Sequence, residues 1–73
     1  MAWTNRKLIR KCNALARTFY KMQGYEVPKS FKLYESTHPH EQGCWNMAVA
    51  AYEHIKGVDV DDALEEMLDD EQA

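Results

Sequence analysis

The chain has 73 residues, of which 45% are hydrophobic and 29% charged, and its formal net charge is −3. That length allows one domain with a small core, and the composition suits a globular chain rather than a disordered one. The longest uncharged run, Gln42 to Tyr52, is too short to span a bilayer, and the basic residues near the start have no apolar run behind them. Neither a membrane partner nor a secretory signal is therefore expected.

After a short lead from Met1, Thr4 is placed as an N-cap with Trp3 before it. Leu8, Cys12, Leu15, Phe19 and Met22 step by four and three and predict a first helix over 5–23. Ile9, Ala16 and Tyr20 widen the stripe. Gly24 ends the helix, with Tyr25 placed for the apolar contact that closes such a cap.

Pro28 turns Val27 away from helix. Phe31 and Leu33 alternate with Lys32 as a strand would, but a lone strand has nothing to pair with. Residues 25–37 are expected to form a long, partly ordered connector with one helical turn, folding Val27, Phe31 and Leu33 or Tyr34 onto the core. Ser30, Ser36 and Thr37 supply turn and cap chemistry.

The next helix is predicted over 39–56 and is expected to be the central one. Pro39 suits its first turn, Thr37 is chemically a better N-cap than His38, and Glu41 suits the positive end of the helix dipole. Trp45, Ala48, Val49, Tyr52 and Ile55 make a broad apolar face. Gly57 is a left-handed C-terminal stop, with Val58 to close it. Gly43 costs about 1 kcal/mol relative to Ala inside a helix, so it marks either the true start or a close crossing.

Asp59 is placed as the cap of a third helix over 60–68, with Asp61 and Asp62 in its first turn and Val60, Ala63, Leu64, Met67 and Leu68 on its apolar side. Residues 69–73 are expected to be a frayed acidic tail. The whole, 1–73, reads as one all-α domain of three helices. Helix 1 would pack Leu8, Leu15 and Phe19 against Trp45, Ala48, Tyr52 and Ile55, and helix 3 would close the remaining side with Leu64 and Met67.

Charge is divided along the chain. Up to Glu35 there are eight Lys/Arg against two Asp/Glu, a net of +6, and from Ser36 onward one Lys against ten Asp/Glu, a net of −9. Arg6, Arg10, Arg17 and Lys21 share one side of the first helix, with Lys7 and Lys11 nearby. A charged helix side is most often simply solvated. As a function, this one points to a polyanion, but the acidic total and the lack of a nucleic-acid-binding motif favour a protein partner over nucleic acid.

His38, His40 and Cys44 have metal-ligand character, with His40 and Cys44 four apart on one helix side, and suit Zn²⁺, or Cu(I) if Met47 joins. Their spacing fits no closed four-ligand pattern, and capping or core roles are commoner for these residue types. A thiol beside His40 near a helix start also invites a nucleophile reading, since its pKa is lowered there, but no third catalytic group accompanies it. The acidic run from Asp59 to Glu66 lacks the glycine and glutamate of a calcium loop. Cys12 and Cys44 make no disulfide framework; a single bridge between packed helices is possible, though reduced thiols in the cytoplasm are expected.

No catalytic residue and no cofactor are expected. In type alone the chain resembles the small single-domain proteins of bacteria and their phages, and no residue role follows from that. The leading expectation is a non-enzymatic protein–protein interaction or regulatory module of adaptor or inhibitor type, with self-association as one form of it. Arg10, Arg17 and Lys21 would form one surface, and Asp62, Glu65, Glu66 and Asp69 another. The alternatives are a nucleic-acid-associated regulator using the basic side of helix 1, and a metal-binding protein through His38, His40 and Cys44.

Overall fold

The computed structural model describes residues 3–72. Met1 and Ala2 of the expected lead, and Ala73 of the expected tail, lie outside the described residues. Among the described residues the fold is all-α, with three helices and no strand.

Helix α1 spans Asn5–Met22. Thr4 Oγ1 accepts from the Lys7 N–H at 3.2 Å, satisfying one of the donors a helix start leaves free. At the other end Gly24 takes φ 96°, the Tyr25 N–H donates to the Tyr20 carbonyl at 3.3 Å, and the Gly24 N–H donates to the Lys21 carbonyl at 2.9 Å. This is a Schellman closure. Its apolar contact is aromatic, because Tyr20 and Tyr25 stack with centroids 4.8 Å apart.

Residues 23–38 cross the flank of α1 as an ordered connector. The Phe31 N–H closes a turn onto the Pro28 carbonyl at 3.0 Å, and a single 3₁₀ turn follows at Leu33–Glu35. Leu33 is only 1% exposed, while Val27, Phe31 and Tyr34 pack half-buried against the core. The expected helical turn and fold-back are both present.

Helix α2 spans Pro39–Lys56. Its cap is His38 rather than Thr37: the His38 Nδ1 accepts from the His40 N–H at 3.3 Å. The Ser36 hydroxyl also takes the His38 N–H at 3.0 Å, which fixes the backbone entering the helix one residue later than a Thr37 cap requires. Gly57 ends α2 in the left-handed region at φ 66°.

Helix α3 spans Val60–Gln72. Asp59 Oδ1 accepts from the Asp62 N–H at 2.9 Å, and Glu53 Oε2 takes the Val60 N–H at 3.3 Å. The helix runs past Leu68 where a frayed tail was expected. The Arg6 guanidinium holds Glu71 at 3.0 Å, and Asn5 donates to Glu66 at 2.7 Å, so the second half of α3 is tied to the start of α1.

The packing corrects one expectation. The central element is α1, not α2: both other helices pack mainly on α1 and touch each other much less. The buried face of α1 is Leu8, Ile9, Cys12, Asn13, Ala16 and Tyr20. It is turned toward Ile9 and Tyr20 because one helix must serve α2 on one side and α3 with the connector on the other. Residues at the far edge of the predicted stripe are left out. Met22 is 77% exposed and Leu15 and Phe19 only half-buried. On α2, Cys44, Trp45, Ala48 and Val49 are buried and Tyr52 half-buried, but Ile55 is 75% exposed. From α3, Val60, Ala63 and Met67 are buried, and Leu64 only half-buried.

Candidate binding site

One buried polar side chain positions the most distinctive surface. Asn13 sits in the buried face of α1. Its Nδ2 donates to the Phe31 carbonyl at 2.7 Å, and its Oδ1 accepts from the Leu33 N–H at 2.8 Å. One amide side chain thus pairs with the connector backbone as a neighbouring strand would, satisfying groups that burial makes costly to leave unpaired. Arg17 adds a third tie, donating to the Lys29 carbonyl at 3.1 Å.

The connector is thereby laid along the basic side of α1, and Lys29 and Lys32 join the arginines there. Between α1, the connector and the end of α3 lies a cleft of about 340 Å³ walled by Arg6, Arg10, Lys29 and Lys32, with Glu71 as its only carboxylate among the described residues. A second hollow of about 300 Å³ continues past Lys29 to Arg17, Lys21 and Glu26. Arg6, Arg10, Arg17 and Lys21 alone extend over about 22 Å of helix.

Among the described residues, half of the cleft's four cations have a carboxylate partner and half do not. Arg6 pairs with Glu71 at 3.0 Å, and Lys21 and Lys32 lie at 3.9 Å from Glu26 and Glu35. Arg10 and Lys29 make no ion pair among the described residues. Tyr34, on the same wall, stacks at a tilt on Trp45 with centroids 5.3 Å apart, and burial raises its phenol pKa.

The expected acidic surface lies elsewhere. Asp62, Glu65 and Asp69 are exposed on the outer side of α3, whereas Glu66 is engaged by Asn5. Arg10 lines the cleft together with Arg6, Lys29, Lys32 and Glu71, whereas Arg17 and Lys21 line the second hollow beyond Lys29. A signal for Lys32 was present, since it alternates with Phe31 and Leu33 and must face away from the core when they face in; Lys29 had none. Asn13 had its own signal, a polar residue four after Ile9 inside an apolar stripe.

His38 and His40 stack with centroids 5.6 Å apart at the start of α2, and His40 lies 5.9 Å from the Tyr25 ring. Cys44 is instead turned into the core, where its Sγ accepts from Gln23 Nε2 at 3.5 Å. Among the described residues, no three His, Cys, Asp or Glu side chains converge on a position that could hold a metal ion. Burial raises the Cys44 thiol pKa, the reverse of the lowering expected near a helix start, so it is protonated at neutral pH.

Cys12 is buried as well; burial first, then Glu53 and Asp61, push its pKa up to about 12. Both cysteines are free, and they sit at different levels of the α1–α2 pair, Cys44 beside Gln23 and Cys12 near Glu53. A bridge between them would require the helices to slide. No helix among the described residues is long and apolar enough to cross a membrane.

The chain matches no family model, no curated protein sequence and no solved structure.

Proposed function

We propose that the chain is a non-enzymatic interaction module whose cationic cleft binds an acidic surface of a protein partner. The observation that carries this reading is the cleft itself: four cations around one recess on a chain of net charge −3, with Arg10 and Lys29 unpaired among the described residues. Like charges gathered in excess of their partners repel one another, and an incoming anion relieves that repulsion. The outer side of α3 supplies a second, acidic surface through Asp62, Glu65 and Asp69. That surface is itself a possible occupant in a second copy, so self-association is the concentrated form of the same reading. Two free thiols suit a reducing compartment such as the cytoplasm.

Charge reversal at Arg10 and Lys29, singly and together, tests the reading. Tagged wild-type protein captures a partner from nuclease-treated host lysate, and the Arg10→Glu/Lys29→Glu variant, folded by circular dichroism, loses it. Unchanged capture by the double variant contradicts the reading. Recovery of nucleic acid instead, with affinity falling steeply as salt rises, would transfer the cleft to a nucleic-acid partner.

A further inference from the structure

Glu71 stands apart from the other carboxylates of α3. It reaches over the cleft to Arg6 at 3.0 Å and is, among the described residues, the only acid on a wall that otherwise carries four cations. The turn that carries it is lightly held. Met67 is the last buried residue of α3 among those described, and Asp69, Asp70 and Glu71 are exposed. The Arg6 side chain is 61% exposed, so the ion pair is a solvated one of the kind that contributes little to stability. The Glu71 side chain is 37% exposed and lies one turn beyond Met67.

We propose that Glu71 is an internal occupant of the cleft, and that the ligand is an acidic peptide segment whose carboxylate replaces it on Arg6. The inference rests on the interaction reading above and adds the ligand chemistry and a built-in competitor. A short acidic segment fits better than nucleic acid. The cations surround a recess of about 340 Å³ rather than an open plane. A long polyanion leaving the recess on the α3 side would meet the exposed carboxylates of that helix. A peptide can place two or three carboxylates among Arg6, Arg10, Lys29 and Lys32 and end within the recess. With Glu71 displaced, Arg6 joins Arg10 and Lys29 as a free donor, and guanidinium groups suit carboxylates by their paired N–H geometry.

The test uses fluorescence anisotropy of labelled hexaglutamate at low salt. Glu71→Gln removes the competing charge and is expected to tighten binding roughly two- to fivefold, the range a solvated ion pair allows. Asp69→Asn makes the same charge change on the outer side of α3 and should leave affinity close to wild type. Arg10→Glu should weaken binding strongly. If Glu71→Gln gains no more than Asp69→Asn, Glu71 is no internal occupant, while the interaction reading survives as long as Arg10→Glu still weakens binding. If neither wild type nor Glu71→Gln binds hexaglutamate, the peptide proposal fails, and the partner capture above decides separately whether the cleft binds a folded surface. A labelled single-stranded oligonucleotide that binds better than hexaglutamate and gains from Glu71→Gln would overturn the choice of peptide over nucleic acid.

Discussion

Asn13 carries more of the structure than its size suggests. Replacing it with Ala leaves the Phe31 carbonyl and the Leu33 N–H without partners in a region where water reaches poorly. Each such loss costs about 1–3 kcal/mol, so Asn13→Ala is expected to destabilise by about 2 kcal/mol or more in urea unfolding. For a chain of this size the whole stability is only about 4–11 kcal/mol. A change below about 0.5 kcal/mol would show that the connector is held by Leu33 and Phe31 packing alone. Glu41 is the comparable residue on α2. It accepts from Ser36, and from the Tyr20 hydroxyl at 3.0 Å, and these hydrogen bonds, Ser36 first, hold its pKa below the ordinary 4.5. A depressed carboxylate pKa stabilises the fold above the unfolded value and loses that contribution as pH falls through the folded one. Stability should thus decline below about pH 4.5, and Glu41→Gln should flatten that limb of the pH profile. An unchanged acid limb in the variant would assign the decline to other groups.

The helices differ in how their ends and interiors are specified. Thr4, Pro39, Gly57 and Asp59 act through atoms within a few residues of themselves, and for that reason the starts of all three helices and the stop of α2 were legible in the sequence. Gly43 is a different case. It lies inside α2 without a positive φ, and a Cβ added there would meet nothing within 4 Å. Neither a helix start nor a close crossing accounts for it. Gly43→Ala is expected to stabilise by about 0.5–1 kcal/mol through helix propensity, a rise in Tm of roughly 3–8 °C, whereas Ala at Gly24 or Gly57 should destabilise because both hold positive φ. A loss of stability in Gly43→Ala would mean that the close approach of another group matters there. The length of α3 was not legible, because its last turn has no apolar periodicity and its one long-range tie among the described residues is to Arg6, sixty-five positions earlier in the chain.

At the scale of the molecule, the divided charge of the sequence is not consumed by folding. Arg6–Glu71 is the one ion pair among the described residues that joins the basic first half to the acidic second half. The remaining charge forms two separate surfaces, the cationic cleft and the outer side of α3. The sequence showed that such surfaces exist but not their composition. Lys29 and Lys32 reach the arginines because Asn13 and Arg17 lay the connector along α1, and although the sequence marks Lys32 as outward-facing and Asn13 as polar within an apolar stripe, it does not show that the two segments meet. The choice of central helix failed for the same reason. The apolar stripe of α2 reads well on its own, but α1 is the helix with two occupied sides, and that depends on where α3 returns.

The most direct measurement is a ¹⁵N-resolved NMR titration of the wild-type chain with hexaglutamate at low salt. Binding in the cleft should shift amides around Arg6, Arg10, Lys29 to Tyr34 and Glu71, and leave those around Met47, Ala51 and Ile55 on the far side of α2 in place. Shifts centred on α2, or none at concentrations where anisotropy detects binding, would contradict the assignment of the cleft as the site.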